Sequence, residues 1–507
     1  MQQTRSYDVI IIGGGSAGCA AAARLSEDPQ RHVLLIEAGP DPMPIPDIIA
    51  DGSLATQALL ESPYVRLYPT QRKGDGSTFH PISGMVMGGG STINMMAVVR
   101  PTKYDLDSWA AAGNPDWAYE DCLPVLKRLE SDQDYGEDPI HGAEGPLYVK
   151  RQSKLDEQLA SEPTKTFIER AVSMGLPLCA DLNVPDPLGV SARAANIKDG
   201  VRQSTRVAYL DPARERPNLQ IVADATVLSL TIAGGRVEGV LYEKEHQTLE
   251  ASADRVVLSA GVYHTPQILM LSGIGPIKEL ERLGVRVIHP LNGVGENYQD
   301  HAKIQMTFEG RGNFRPDWVL PHFRMTFKSD PKLPCGNFHI YMNPPTEISG
   351  LTPMMPFTMN LIEQRGRGRV FLKTTDPQEL PEIDDVMLQH PEDLKAMLAA
   401  MQFVYDFVQD ESMEDFYGPL LLPDPDADWA QFARTTYDSY HHGAGTCMMG
   451  PASNSMAVVD HKLRLHGIEN LYIADASIMP TVTHANTNVT CIMIGERVFD
   501  FIRDASG

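Results

Sequence analysis

A glycine-rich turn near the start of the chain constrains the fold more than any other feature. The branched apolar run that ends at Ile12 is typical of a buried parallel strand. Gly13, Gly15 and Gly18 follow it in a G-x-G-x-x-G pattern, in which the glycines allow a tight turn, the approach of a pyrophosphate and close helix packing. An alanine-rich helix and a second strand come next, and Glu37 ends that strand where an acid can bind a ribose hydroxyl. This order predicts a dinucleotide site; the alternative is a glycine turn in a βαβ unit without a ligand.

Length and charge narrow the class of protein. A chain of 507 residues is long enough for two domains. Its formal net charge of -23 argues against nucleic acid and anionic membranes as partners. No run of 18 apolar residues occurs, so we expect no membrane span. The short polar start leaves no room for a secretory signal.

The cysteines indicate the cellular compartment. All six are scattered and none forms a C-x-x-C pair, which argues against a zinc site and against a disulfide framework. We therefore expect a cytoplasmic protein without a metal. The sequence leaves a monomer and a homodimer open.

Strand signals that match a nucleotide-binding sheet are spread along the chain. Beyond the first two strands we predict strands at residues 218–222, 227–232, 237–242, 255–259 and 471–474. Pieces of one sheet that are so far apart in sequence imply an insertion between them. Within the intervening region, residues 337–342 and 369–373 are predicted strands and residues 394–408 a predicted helix.

The predicted fold class is accordingly α/β, or α+β overall. A Rossmann-like dinucleotide-binding domain comprises residues 1–155, 196–308 and 431–507. An inserted substrate-binding domain, the cap, comprises residues 156–195 and 309–430 and contains an antiparallel or mixed sheet plus helices.

Three further blocks carry a family resemblance. Residues 84–94 form a second glycine-rich loop, whose backbone N–H groups can bind a phosphate or a ring oxygen and to which Asn94 adds an amide. Residues 261–276 and 294–301 are the other two. With these blocks and the first glycine turn, the chain resembles the glucose–methanol–choline (GMC) flavoprotein oxidoreductases, and only the cap is weakly matched. Met85 and Val262 depart from the family's usual residues.

The resemblance implies FAD as the cofactor. The residues that it implies for FAD binding are Gly13, Gly15, Ser16, Ala17, Gly18, Glu37, Gly88, Asn94, Met95, Met96, Ala97, Val227, Asp475, Ala476, Asn486 and Thr487. Choline-oxidising relatives often carry a histidine just before the loop asparagine and join it covalently to the flavin. Ile93 stands at that position here and cannot form the bond, so we expect non-covalent FAD.

The C-terminal segment resembles the family's catalytic block. His442 lies three residues before Gly445 and matches the catalytic base, with His441 as the alternative. A second polar residue follows in the family, which the N-x-N spacing assigns to Asn486, with His484 less favoured. Alcohol oxidation needs a base for the hydroxyl proton, which a histidine supplies near neutral pH. An asparagine can donate a hydrogen bond to the developing alkoxide, and the flavin N5 accepts the hydride.

The expected reaction is oxidation of a small primary alcohol to the aldehyde, with oxygen as the electron acceptor. Aromatic cap residues favour an aromatic or heteroaromatic substrate, such as an aryl alcohol, hydroxymethylfurfural or a pyridoxine-like alcohol; they are Phe323, Phe327, Phe338, Tyr341 and Phe357. Choline remains an alternative, because aromatic rings also bind quaternary ammonium groups. A flavin-binding protein that does not oxidise alcohols, similar to a photoenzyme, is the second alternative.

Overall fold

Two seven-stranded sheets dominate the computed structural model. The structure describes residues 6–53, 57–151, 162–311, 323–343 and 353–504. The first sheet, here called the nucleotide sheet, has the strand order Leu219–Val222, Val33–Ile36, Ser6–Ile12, Gln247–Leu258, Arg236–Lys244 and Ala225–Ala233, and Leu471–Ile473 also pairs with Gln247–Leu258. Five of these strands pair in parallel with their neighbours: Leu219–Val222, Val33–Ile36, Ser6–Ile12, Gln247–Leu258 and Leu471–Ile473. The predicted strands of this sheet are confirmed.

The second sheet, here called the cap sheet, is antiparallel throughout the described pairs. Its strand order is Tyr417–Leu422, Ala302–Gly310, Met354–Leu361, Phe338–Met342, Phe323–Phe327 and Gly189–Ala192, and Asp438–Ser439 pairs with Ala302–Gly310. The prediction of a strand at residues 337–342 is confirmed. The other six strands of the cap sheet were not predicted from the sequence.

One predicted strand of the cap lies elsewhere. Gly368–Phe371 pairs with Glu296–Tyr298 and Glu382–Asp384 in a separate three-stranded sheet, so it does not belong to the cap sheet. The assignment of whole residue ranges to two domains remains a proposal. Its boundary between residues 155 and 156 lies outside the described residues.

Helices cover the nucleotide sheet and the cap sheet. The longer ones are Ser16–Leu25, Lys103–Ala111, Tyr119–Leu129, Glu162–Ser173, Gly261–Leu271, Ile277–Leu283, Pro391–Val408, Trp429–Thr436 and Thr487–Asp504. Short helical turns are Asp47–Ala50, Gln57–Leu60, Gly90–Ile93, Pro115–Trp117, Arg206–Leu210, Asp211–Ala213, Glu411–Met413 and Ala476–Ile478. Small strands are Val65–Leu67, Thr70–Gln71, Thr78–Phe79, Ile82–Gly84, Glu130–Asp132, Leu147–Arg151, Ala194–Ala195, Ile197–Lys198, Val201–Arg202, Ile274–Gly275 and His289–Pro290.

Local sequence explains the helices that position the site. Ser16–Leu25 buries nearly all of its small side chains, so it can pack closely on the sheet and on Thr487–Asp504. Pro391–Val408, the predicted helix at 394–408, begins with proline at its first position and turns a stripe of Met, Val and Phe toward the cap core. Among the described helices, none combines the length and apolar character needed to cross a membrane.

Candidate active site

The first glycine turn has the geometry that its sequence predicts. Gly13 adopts a positive φ of +101°, and a Cβ there would lie 2.4 Å from the backbone oxygen of Ser259. A Cβ on Gly18 would lie 1.9 Å from the oxygen of Gly13. Only glycine fits at either position, because one needs the left-handed conformation and the other a close backbone approach.

Glu37 lies at the same turn. Its carboxylate accepts hydrogen bonds from the backbone N–H groups of Gly14, at 2.7 Å, and Gly39, at 2.8 Å. Burial raises the pKa of Glu37, while these N–H groups oppose the shift. The acid is thus fixed in place beside the turn, on the wall of the cavity described next.

A single large cavity connects this turn to the predicted catalytic residues. It measures about 570 Å³, within the usual range for a cofactor or ligand pocket. The predicted residues on its wall are Gly13, Gly15, Ser16, Ala17, Glu37, Asn94, Met95, Ala97, Val227, His442, Asp475, Ala476, Asn486 and Thr487. Residues predicted from seven separate stretches of sequence therefore share one cavity.

Three predicted FAD contacts lie behind that wall instead. Gly18 packs against Gly13. Gly88 donates its N–H to the oxygen of Gly14 at 2.7 Å and thereby ties the two glycine-rich loops together. Met96 is fully buried, and its N–H donates to the side chain of Asn94 at 3.0 Å. These residues shape the wall rather than form its surface.

His442 occupies the wall in a fixed orientation. Its backbone N–H donates to Asp300 Oδ1 at 2.8 Å, and its Nδ1 lies 2.9 Å from His301 Nδ1. Its Nε2 accepts from Asn486 Nδ2 at 3.1 Å. Burial holds the pKa of His442 well below its ordinary value, and the neighbouring rings of His301 and His441 add to this effect. The ring is therefore a neutral imidazole near pH 7, the form that can accept a proton.

Asp300 and His301 lie in the block 294–301 and contact His442, although the sequence assigns neither of them to the site. Asp300 also accepts from the N–H of His301 at 2.7 Å, from Ser439 Oγ at 2.5 Å and from Tyr298 at 3.2 Å. Burial raises its pKa to about 6. Their contacts with His442 span 141 or more positions of sequence, so no local pattern could have revealed them.

His441 differs from His442 in backbone and contacts. It adopts a positive φ of +64°, and its N–H donates to Ser439 Oγ at 2.7 Å. Its ring also reaches the cavity wall, and its Nδ1 is buried without a hydrogen-bond partner among the described residues. Burial lowers the pKa of His441 to about 4. The two histidines thus differ in backbone and in hydrogen bonds, and His442 is the one that is hydrogen-bonded to Asn486.

His484, the less favoured choice for the second polar residue, has a structural role. Its Nδ1 lies 2.6 Å from Asp105 Oδ1, and its N–H donates to the same carboxylate. Burial would lower the pKa of His484, but Asp105 overrides it and holds the pKa well above the ordinary value. Asp105 also belongs to the capping box that begins the helix Lys103–Ala111. The pair fixes one segment of chain to another.

The aromatic cap residues are mostly not where we expected them. Four of the five pack in the core of the cap sheet: Phe323, Phe327, Phe338 and Phe357. Only Tyr341 lies on the cavity wall. The expectation that the phenylalanines line the substrate pocket is wrong, because alternate residues of their strands point away from the cavity. Tyr440 and Tyr263, which sequence reasoning did not single out, are the other aromatic wall residues.

One buried cluster resembles a metal site in composition. Among the described residues, Glu130, Asp132 and His141 bring three possible ligand atoms together. Arg100 and Arg151, however, form ion pairs with these carboxylates. Burial alone would lower the pKa of His141, but its hydrogen bonds to Asp181 and Glu130 outweigh this effect and raise the pKa to about 9. A protonated histidine cannot ligate a metal, so the cluster is a buried ion-pair network.

Comparison with known proteins agrees with this geometry. Two GMC oxidoreductase family models match residues 7–303 and 364–495. The chain is 33% identical to the 5-(hydroxymethyl)furfural oxidase of Methylovorus sp. (strain MP688) over 98% of each chain. It is 32% identical to the oxygen-dependent choline dehydrogenase 1 of Chromohalobacter salexigens over 99% of this chain and 96% of that protein.

A solved structure extends the comparison to three dimensions. The crystal structure of pyridoxine 4-oxidase from Mesorbium loti superposes with a TM-score of 0.91 at 29% identity, covering 98% of this chain and 99% of that one. The chain therefore belongs to the GMC oxidoreductase family, whose FAD-dependent enzymes act on alcohols.

Proposed function

We propose that this protein oxidises a small primary alcohol, aromatic or heteroaromatic, to the aldehyde, with His442 as the base. The observation that carries the proposal is the neutral imidazole of His442, whose Nε2 lies 3.1 Å from Asn486 Nδ2 on the wall of the cavity. A base and a hydrogen-bond donor side by side are what removal of a hydroxyl proton requires.

The hydrogen bonds define which nitrogen is the base. The amide of Asn486 can only donate through Nδ2, so His442 Nε2 carries a lone pair. The neutral ring then carries its proton on Nδ1 and donates it to His301 Nδ1. His301 in turn holds its own proton on Nε2. This chain leaves His442 Nε2 ready to take the alcohol proton, while Asn486 turns its N–H toward the alkoxide oxygen.

The residues present fit FAD. Gly13 and Gly15 present backbone without side chains on the cavity wall, and one cavity runs from Glu37 to His442. When bound, FAD supplies the hydride acceptor for the carbinol carbon. Ile93 lies on the cavity wall at the end of the helix Gly90–Ile93 and offers no nucleophile, which supports non-covalent FAD.

The proposed substrate class rests on the aromatic side chains near His442 and Asn486. Tyr341 and Tyr440 give that part of the cavity two aromatic faces, which suit a ring-bearing alcohol. The names of the relatives include both a hydroxymethylfurfural oxidase and a choline dehydrogenase, so choline is the competing substrate. We propose oxygen as the acceptor, a monomer or homodimer as the active form and the cytoplasm as the location; the last accords with six free cysteines.

An anaerobic screen tests the proposal. Benzyl alcohol, hydroxymethylfurfural, pyridoxine and choline are each mixed with the FAD-loaded protein in the dark, and the flavin absorbance is followed. We expect an aromatic or heteroaromatic alcohol to bleach the flavin fastest, and admission of air to restore the colour. Bleaching by none of these alcohols would contradict the proposal, and would favour the photoenzyme-like alternative if illumination were required.

A further inference from the structure

One face of the cap sheet is polar and forms part of the cavity wall. Along the strands Phe338–Met342 and Met354–Leu361, successive side chains point to opposite faces of the sheet. One set packs in the core of the cap: Ile340, Met342, Phe357 and Met359. The other set lines the cavity and includes Tyr341, Thr358 and Asn360. The cap therefore presents hydrogen-bonding side chains to the cavity.

Tyr341 and Thr358 place two hydroxyl groups side by side on this face. The two residues lie directly opposite each other on neighbouring antiparallel strands, which brings their Cβ atoms to about 4.5–5.5 Å from each other. Tyr341 is 9% exposed, Thr358 is half-buried, and both line the cavity. A single group in the cavity can therefore contact both hydroxyls.

Each of these hydroxyl groups keeps its hydrogen for a ligand. Tyr440 donates its hydroxyl hydrogen to the Tyr341 oxygen at 3.1 Å. The side-chain amide of Asn343 donates to Thr358 Oγ1. A hydroxyl has one hydrogen and two lone pairs, so both oxygens act as acceptors in these contacts and both hydrogens remain available. Tyr341 and Thr358 thus form a pair of hydrogen-bond donors on the cavity wall.

One aromatic ring separates this donor pair from the catalytic histidine. Tyr440 reaches Tyr341 through its hydroxyl, and its ring packs on that of His442 with a centroid distance of 4.3 Å. The length of a phenol ring therefore lies between Tyr341 and His442. A substrate with one ring between its hydroxymethyl group and a second polar group spans a similar length.

The two donors select the kind of group that they bind. A carbonyl oxygen has two lone pairs near the plane of its substituents and can accept from both hydroxyls at once. An apolar group in the same place would leave both hydroxyls without a partner, which is unfavourable in a site closed to water. A quaternary ammonium has no lone pair and cannot accept from either hydroxyl.

We propose that Tyr341 and Thr358 bind a carbonyl oxygen that the alcohol substrate carries across a ring from its hydroxymethyl group. The two residues would then determine specificity within the aromatic alcohols, in favour of those with a carbonyl substituent. This inference rests on the proposed function, because it takes His442 as the base for the hydroxyl. It also disfavours choline, which offers these donors no acceptor.

Two alcohols of matched shape test the inference. 4-Acetylbenzyl alcohol carries a carbonyl oxygen where 4-isopropenylbenzyl alcohol carries a methylene carbon. Wild type should show kcat/KM for the acetyl compound about 10- to 100-fold above that for the isopropenyl compound, as expected for two neutral hydrogen bonds. Tyr341→Phe and Thr358→Val should each lower this preference about 3- to 10-fold, mainly through KM, and the double variant should lose both factors. Comparison between variants cancels the electronic effect of the acetyl group, because that effect belongs to the substrate.

Two buried hydroxyls elsewhere in the cap sheet provide matched controls. Thr326 lies on the strand Phe323–Phe327 and Tyr417 on the strand Tyr417–Leu422. Neither side-chain oxygen has a hydrogen-bond partner within the part of the chain that the structure describes, and neither residue is among the described residues that line the cavity. Thr326→Val and Tyr417→Phe make the same chemical changes as the test variants and should retain the wild-type preference.

Binding without turnover gives an independent readout. Acetophenone, which has no hydroxyl to oxidise, is titrated into the FAD-loaded protein and followed by the flavin spectrum and by calorimetry. Wild type and both control variants should bind it with equal affinity, and the double variant should bind it at least about 10-fold more weakly. FAD affinity is measured in parallel.

The outcomes separate this inference from the proposed function. A wild-type enzyme without the preference, a double variant that retains it, or an equal loss in the control variants would overturn the inference. Loss of FAD from the test variants with an unaltered preference in the residual activity would assign the two hydroxyls to the cofactor instead. If no alcohol reduces the flavin, the proposed function fails, and the acetophenone titration alone decides the carbonyl site.

Discussion

The Nδ1 atoms of His301 and His442 lie 2.9 Å apart, and the two rings meet nearly at right angles with centroids 5.0 Å apart. A hydrogen bond between two Nδ1 atoms requires that one ring carry the proton there and the other accept it. Burial lowers the pKa of His301 to about 3, so His301 stays neutral and can serve as the acceptor. Since Asn486 Nδ2 donates to His442 Nε2, the proton shared by the two rings belongs to His442 Nδ1.

The pH dependence of flavin reduction follows from this pair. A base acts in its unprotonated form, and the pKa of His442 lies well below 6.5, so the rate should be constant through neutral and alkaline pH. The first decline should come near pH 6, where Asp300 gains a proton. Anaerobic stopped-flow reduction between pH 5 and 9 measures this profile. Asp300→Asn should remove the step near pH 6, whereas a midpoint above pH 7 would contradict the assignment.

His442 and His441 can be separated by substitution. His442→Ala should keep FAD and the fold but slow flavin reduction by roughly 10²- to 10⁴-fold, the usual effect of losing a general base. The matched variant is His441→Asn, because asparagine tolerates the left-handed backbone at this position better than alanine does. Its rate should fall much less. If His442→Ala reduces its flavin at the normal rate while His441→Asn is inactive, the base is His441 and not His442.

Asn486 should contribute through its N–H group. Asn486→Ala loses the donor to the developing alkoxide and should slow reduction by about 10²- to 10³-fold. Asn486→Asp places a carboxylate beside His442 Nε2. It should be slow as well and should raise the pKa of His442, which moves the acid limb of the rate profile to higher pH. If Asn486→Asp reduces as fast as wild type, the donor role is excluded.

His484 should affect stability rather than rate. His484→Ala leaves the Asp105 carboxylate buried without its partner, which should cost about 3–5 kcal/mol of the free energy of unfolding. The folded variant should still reduce its flavin at nearly the wild-type rate. Urea unfolding followed by circular dichroism and stopped-flow reduction measure the two effects. A variant of wild-type stability with a large loss of rate would place His484 in the catalytic site after all.

The pH dependence of this stabilisation has a defined sign. The pKa of His484 is raised above 6.5 in the folded protein, so its contribution is complete below pH 6.5 and is lost as the pH rises through the folded-state value. The pKa of Asp105 is lowered below 3.8 despite burial, mainly by His484, so its contribution is present above pH 3.8 and lost in stronger acid. The difference between wild type and His484→Ala should therefore be largest between these two values.

FAD should be released by denaturation. Acid or heat precipitation should leave the yellow colour in the supernatant, because Ile93 offers no atom for a covalent bond. Glu37→Gln should weaken FAD binding by about 1–3 kcal/mol through loss of an acceptor for the ribose, and it keeps the size of the side chain beside Gly14 and Gly39. Fluorescence titration of the apoprotein measures the affinity. Flavin that remains with the precipitate would show that the attachment is covalent.

Local sequence patterns were sufficient for the nucleotide sheet and its glycine turn. Gly13, Gly18 and Glu37 could be interpreted in advance, because a steric requirement acts within a few residues of each. The cap was harder to predict. The apolar pattern of its strands does not show which face of the sheet lines the cavity. Phe323 and Phe357 therefore suggest a cavity wall in the sequence, but they lie in the core of the cap.

The sequence by itself determined the family, the dinucleotide-binding turn and the identity of His442 and Asn486 as a candidate pair, because each depends on residues close together in the chain or on a family motif. Only the tertiary structure decided which atoms meet. Asp300 and His301 contact His442 across 141 or more positions of sequence. Burial and mutual charge set the protonation of these groups, and both are properties of the folded chain.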